Sequence, residues 1–220
     1  MIPLYDTLHS RRFPLVNWLL IGLNALVFVY ELSLSPAGLE RFTRAWGLIP
    51  ADLLAHPVST WMNIFTSMFL HGGWFHILSN MWVLFIFGDN IEDRLGGARY
   101  FFFYLLSGVA AALLEVYVLQ ASRIPMIGAS GAIAGVLGAY LLLYPRARIA
   151  SLVPILFIFT IIEIPAMVFL PIWFISQLFA GWRALQGAAA SGVAWWAHVG
   201  GFAFGMASAG LFARRRAYYP

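Results

Sequence analysis

The apolar residues of this chain do not alternate with polar ones at the period of a half-buried strand. They run in long blocks separated by short polar breaks. Six blocks stand out, at 13–34, 74–94, 99–120, 130–144, 165–182 and 195–212. Most approach the ~20 residues a helix needs to cross a hydrocarbon core of ~30 Å. The pattern predicts an all-α polytopic membrane protein, a six-transmembrane-helix bundle forming one domain over 1–220. Residues 35–73 mix Trp46, Trp61, Phe65 and Phe69 with polar positions, which predicts a long amphipathic loop lying in the membrane interface. The stretch 150–164 is also apolar. It reads as a partly interfacial lead-in to the fifth helix, broken at Pro165 and Pro171, rather than as a seventh span.

Composition agrees with this picture. Hydrophobic residues make up 62% and charged residues 10% of the chain, against about half and a quarter in soluble domains. The absence of cysteine excludes disulfides, thiolate catalysis and cysteine-held metals. The net charge of +4 comes from arginine alone, since the chain has no lysine. With six spans and residues 1–12 inside, Arg11, Arg12, Arg94, Arg99, Arg146, Arg148, Arg214, Arg215 and Arg216 fall on the cytoplasmic side, as does the tail 213–220. Only Arg41, Arg44, Arg123 and Arg183 fall outside, which is the positive-inside bias. The arginines therefore read as orientation signals and not as a nucleic-acid surface. Ser10-Arg11-Arg12-Phe13 loosely resembles a twin-arginine export signal. The apolar run that follows is too long for a signal core and has no clean cleavage site, so it reads as an uncleaved first span.

Two residues suggest chemistry. Ser130 opens the fourth block in Gly128-Ala129-Ser130-Gly131, and His198 lies in Ala197-His198-Val199-Gly200-Gly201. Each precedes an arginine, Arg146 or Arg214, by sixteen residues. Both are thus placed about 24 Å above their inner anchors, one level just below the outer lipid surface. His76 and Asn80, four apart on one face of the second block, reach the same level measured from Arg94. Gly131, Gly135 and Gly138 on one helix and Ala197, Gly201 and Gly205 on the other form small-residue faces that let helices approach closely in lipid. A serine needs such a base, and acyl transfer needs donors for an oxyanion.

At these residues the chain resembles the bacterial rhomboids, intramembrane serine proteases. The resemblance covers His-Gly-Gly-Trp-Phe-His-x-x-x-Asn from His71 to Asn80, Gly-Ala-Ser-Gly, and the His198 segment. It also includes the Phe87 to Gly96 stretch at the cytoplasmic end of the second helix. It implies a Ser130–His198 dyad without a catalytic carboxylate, and an oxyanion hole from His76, Asn80 and the Ser130 N–H. His71, Gly128, Gly131 and Gly201 take supporting roles. It implies no cofactor and no metal, transmembrane protein substrates, and a bacterial plasma membrane with a site opening extracytoplasmically. The fifth helix and the loop before His198 would gate lateral entry. Two departures stand out. Ala134 occupies the place where some relatives carry a tyrosine stacked on the histidine, so His198 must be held by another group, such as Trp195 or Trp196. The Trp-Arg pair found in the first loop of part of the family is also missing.

Competing readings are a non-catalytic rhomboid-like binding protein, which usually lacks the serine or histidine, and a transporter, which would carry polar groups through the full thickness. Glu115 falls at the level of the dyad and reads as a protonated or hydrogen-bonded packing residue rather than the wall of a water-filled cavity. Glu163 reads as a cap or interface residue, and His9 and His56 as interfacial histidines. No His-Glu-x-x-His motif supports a metalloprotease.

Overall fold

The computed structural model describes residues 1–155, 158–187 and 192–214; Arg215 and Arg216, with most of the expected tail, lie outside them. In chain order the elements are β1 (Ile2–Asp6), α1 (Leu15–Leu32), α2 (Pro36–Trp46), α3 (Pro50–Ala55), α4 (Pro57–Thr60), α5 (Asn63–Thr66), a 3-10 turn (Ser67–Phe69) and α6 (Trp74–Leu95). There follow α7 (Gly97–Val118), α8 (Ser130–Leu143), β2 (Arg148–Ile155), β3 (Ile158–Pro165), α9 (Ala166–Leu185) and α10 (Trp195–Phe212). Each of the six apolar blocks corresponds to one helix, of 14 to 22 residues. By length and composition α1, α7 and α9 suffice to cross a membrane. Helix α6 qualifies together with 57–69, from which it is bent by 80°, and α8 is a shorter apolar helix.

The long loop is helical. Pro36, Pro50 and Pro57 each open a short helix at the first turn, where the missing N–H costs nothing. Asn63 Nδ2 donates to Gly47 O at 2.9 Å and Thr66 Oγ1 donates to Trp46 O at 2.7 Å, folding the loop back on itself.

Two expectations are corrected. The protein is not all-α, because the strands β2 and β3 stand where a helical lead-in was expected. β2 pairs antiparallel with both β3 and β1, giving a three-stranded sheet. The β-branched residues Ile149, Val153, Ile158, Thr160, Ile161, Ile162 and Ile164 suit a pleated strand better than a helix. The second correction concerns the prolines. Pro165 does precede α9, but Pro171 lies inside an unbroken α9.

β1 runs along α6. Trp82 Nε1 donates to Pro3 O at 2.7 Å, and near the other end Asn90 Nδ2 donates to Asp6 Oδ2 at 3.0 Å. The Tyr140 hydroxyl also donates to Asp6. Burial, reinforced by Asp89 and opposed by the Tyr140 bond, raises the Asp6 carboxyl from 3.8 to about 6. A carboxyl raised in the folded state stabilises it fully below pH 3.8, and that contribution is lost as pH rises to about 6. We expect Asp6→Asn to melt several degrees above wild type at pH 7.5 and level with it near pH 4, measured by thermal unfolding in detergent.

The core lies between α6, α7, α8 and α10, around the fully buried Phe87, Tyr100, Phe103, Tyr104 and Tyr140. Buried carboxylates hold backbone ends around it. Glu92 accepts from Val16 N (3.1 Å) and Asn17 N (2.7 Å) at the start of α1, while Glu31 accepts from His71 N at 3.1 Å. At one end of the bundle Arg94 and Arg99 donate to the carbonyls of Arg214 and Phe212.

Candidate active site

The far end of the bundle from these arginines holds Ser130 and His198. Helices α8 and α10 lie unusually close. A methyl group on Gly201 would overlap the Gly131 carbonyl, one on Gly205 the Gly135 carbonyl, and one on Gly138 the Phe202 carbonyl. The small-residue faces read from the sequence thus meet each other, and the backbones approach as only glycine permits. The outcome is a Ser130 Oγ to His198 Nε2 distance of 2.8 Å.

The segment entering α8 is fastened to the folded loop. Leu48 and Met126 exchange backbone hydrogen bonds of 3.0 and 2.7 Å, and Gly128 N donates to Ser67 O at 2.8 Å. Gly128 has φ +121°, which L side chains rarely adopt, and a Cβ there would lie 2.6 Å from His76 Nε2. Glycine therefore lets the His76 ring lie against the backbone two residues before the serine.

His76 has a defined tautomer. Its Nδ1 accepts from Gly72 N at 3.2 Å, so the neutral ring carries its proton on Nε2, the atom nearest Gly128. Asn80 stands one turn below, buried, and its Nδ2 has no hydrogen-bond partner among the described residues. Two donors, His76 Nε2–H and Asn80 Nδ2–H, are therefore grouped beside the start of α8. The first helical residues add N–H groups that have no acceptor within the helix. A buried unpaired donor is uncommon and calls for an acceptor that arrives from elsewhere. His71 packs edge-on against His76 at 5.0 Å between centroids and touches neither Ser130 nor His198 through any hydrogen bond.

Glu115 is a hydrogen-bonded packing residue, and its job is specific. Its carboxylate accepts from Ala197 N at 2.8 Å and from Trp196 N, capping the first turn of α10 one residue before His198. Glu163 lies on β3, 4.0 Å from exposed Arg148. Among the described residues no group of three or more His, Asp or Glu is arranged to hold a metal ion.

The surroundings of His198 include one of the two expected tryptophans and, beyond it, side chains of α9. Trp195 does stand edge-on to its ring at 6.0 Å, but Trp173 of α9 lies equally near at a tilt of 34°. The second ring nitrogen, Nδ1, is 2.8 Å from Gln177 Oε1, again on α9. Gln177 was not singled out from sequence. The available signal was a lone carboxamide in an otherwise apolar helix. Ala134 is fully buried beside Gly201, which leaves no room there for a tyrosine ring.

The cleft that Ser130 lines is small. With Ser67, Met68, Met126, Gly128 and Ala197 it encloses a cavity of about 10 Å³, room for about one water molecule. Roomier clefts of about 140 and 130 Å³ lie at the arginine end and contain no member of this cluster.

A bundle of apolar helices with a hydroxyl–imidazole pair and grouped donors at one end has the make-up of a helical membrane protein with a polar site buried among its helices. Residues 58–215 match the Rhomboid domain, and the chain belongs to the rhomboid family. It is similar to Rhomboid protein 1, mitochondrial, of Saccharomyces cerevisiae, at 30% identity over 64% of this chain and 39% of that protein. The Putative rhomboid protease YdcA of Bacillus subtilis is 36% identical over 60% of this chain and 63% of that protein. Rhomboid protease GluP of the same organism is 31% identical over 58% of this chain and 24% of that protein. The chain thus spans less than two thirds of the length of each of these relatives.

Proposed function

We propose that this protein is an intramembrane serine endopeptidase that hydrolyses peptide bonds in or near transmembrane segments of other proteins. The observation that carries the reading is the 2.8 Å contact between Ser130 Oγ and His198 Nε2. His198 Nε2 takes the hydroxyl proton as Ser130 attacks the scissile carbonyl, then returns a proton to the leaving amine. Water completes deacylation, and no cofactor takes part. His76 Nε2–H, Asn80 Nδ2–H and the Ser130 N–H stabilise the oxyanion. The unpaired Asn80 donor supports this role. His71 buttresses His76, and Gly128, Gly131 and Gly201 permit the close approaches on which the site depends. The names of two relatives, each containing "rhomboid protease", agree with the reading.

In this reading α1, α6, α7, α8, α9 and α10 are the six spans of a plasma-membrane protein. Both termini are cytoplasmic and the site opens on the other side. The gathering of Arg94, Arg99 and Arg214 at the opposite end supports that orientation. Substrates are segments with helix-breaking residues, because a peptide bond in an intact helix is shielded from attack.

Reconstitution into liposomes with a single-span reporter bearing glycine and proline near its outer end tests the proposal. Cleavage by wild type and none by Ser130→Ala is the expected result, and equal cleavage by both contradicts it. Asn80→Leu is expected to lower kcat by about 10²- to 10³-fold with KM little changed, because an oxyanion donor acts only in the transition state.

A further inference from the structure

We infer that Gln177 is the positioning residue for His198, holding the ring in the tautomer a base requires. The inference rests on the reading of Ser130 and His198 as the reacting pair. Its Oε1 lies 2.8 Å from His198 Nδ1. The orientation of the carboxamide follows from its other contacts. Gln177 Nε2 donates to Trp173 O at 3.2 Å and contacts Ser176 Oγ at 2.9 Å. Turning the amide over would set two carbonyl oxygens against each other at Trp173, so the oxygen faces the ring. An acceptor at Nδ1 places the proton there, and Nε2 then presents its lone pair to the Ser130 hydroxyl 2.8 Å away.

The chemistry of a glutamine suits this location. A carboxylate in the same place would orient the ring and also stabilise the imidazolium, but it would put an unpaired charge at depth in the membrane. A glutamine supplies the acceptor without the charge. It is itself anchored, at 6% exposure, by two contacts within its own helix. The remaining ionisable neighbours are otherwise engaged or face elsewhere. Glu115 on α7 is committed to the backbone of Trp196 and Ala197, and His76 on α6 to Gly72. Trp173 and Trp195 flank the ring without occupying Nδ1.

The contact is not a by-product of dense packing. Over its most apolar window α9 is only 22% buried, against 44% for α7. It meets α10 mainly through Trp173 and Phe174 on Phe202, Gly181 beneath the two tryptophans, and the Gln177–His198 bond. The base is therefore oriented from the sparsely packed α9, while the nucleophile sits in the tight α8–α10 pair.

The test combines the pH dependence of fluorophosphonate labelling with ¹⁵N spectra of histidine-labelled protein, for wild type, Gln177→Leu and Gln177→Glu in detergent. Gln177→Leu is expected to label at least about 10²-fold more slowly at neutral pH with its melting temperature little changed, and to lose the Nδ1–H signature of His198. Gln177→Glu keeps the acceptor and adds a charge, so the acid limb of its labelling profile moves up by about one unit or more. A purely structural role predicts slower labelling by a constant factor at every pH, with the tautomer unchanged. An unmoved acid limb in Gln177→Glu, or an unchanged tautomer in Gln177→Leu, overturns the inference. Labelling of wild type that persists in Ser130→Ala instead marks failure of the catalytic reading, and the tautomer measurement keeps the two failures apart.

Discussion

Ser130→Ala and His198→Ala are each expected to reduce peptide hydrolysis by about 10⁴-fold or more, and the double variant to be no worse than either alone. The reason is geometric. A serine hydroxyl is a weak nucleophile at neutral pH and attacks only as its proton leaves. The group within reach of that proton is His198 Nε2, at 2.8 Å. Removing either partner removes the same step, so the losses do not add. His76 and Asn80 remain in place in all three variants, and residual activity from the oxyanion donors sets a common floor. Kinetics on a reporter substrate with matched folded fractions checks this. Multiplying losses in the double variant would mean that the two residues act independently.

The second large effect is expected at Gly201. A β-carbon there would overlap the carbonyl oxygen of Gly131 and lie 3.4 Å from Ala134 Cβ. Both obstacles belong to the backbone or to its first side-chain atom, so neither swings aside. Helices α8 and α10 must separate, and a hydrogen bond of 2.8 Å does not survive a shift of an ångström or more. Gly201→Val is therefore expected to abolish activity and to lower stability by about 1–3 kcal/mol, the usual cost of overpacking. Gly210→Val on the same helix is the control, because nothing lies within 4 Å of a β-carbon there. Thermal melts of both variants, with labelling assays, separate a contact-specific loss from a general dislike of valine in α10.

Much of this arrangement was legible in the sequence because lipid simplifies the pattern. Long apolar blocks marked the helices, and the ends of α10 agree with the block at 195–212. Distances counted from the arginines placed Ser130, His198, His76, Asn80 and Glu115 at one depth. The structure brings His76 and Asn80 beside Gly128, and Glu115 beside Ala197. Small-residue spacing anticipated the α8–α10 seam. What the sequence hid had physical causes. Strands β2 and β3 are apolar almost throughout, so they lack the alternation that marks a strand, and only their β-branched content hinted at a sheet. Pro171 looked like a break, yet α9 tolerates it. Gln177 lies twenty-one residues from His198 in a different helix, and no local spacing rule connects the two. Glu115 bonds to the backbone of Ala197, and a backbone partner carries no sequence signature.

The measurement that bears most directly on the central claim is fluorophosphonate labelling of the purified protein, with the adduct located by mass spectrometry. It needs no known substrate, because the reagent reports only on an activated serine. The account predicts a single adduct on Ser130, absent from both Ser130→Ala and His198→Ala. An adduct on another serine, or none on a folded wild-type sample, would contradict it.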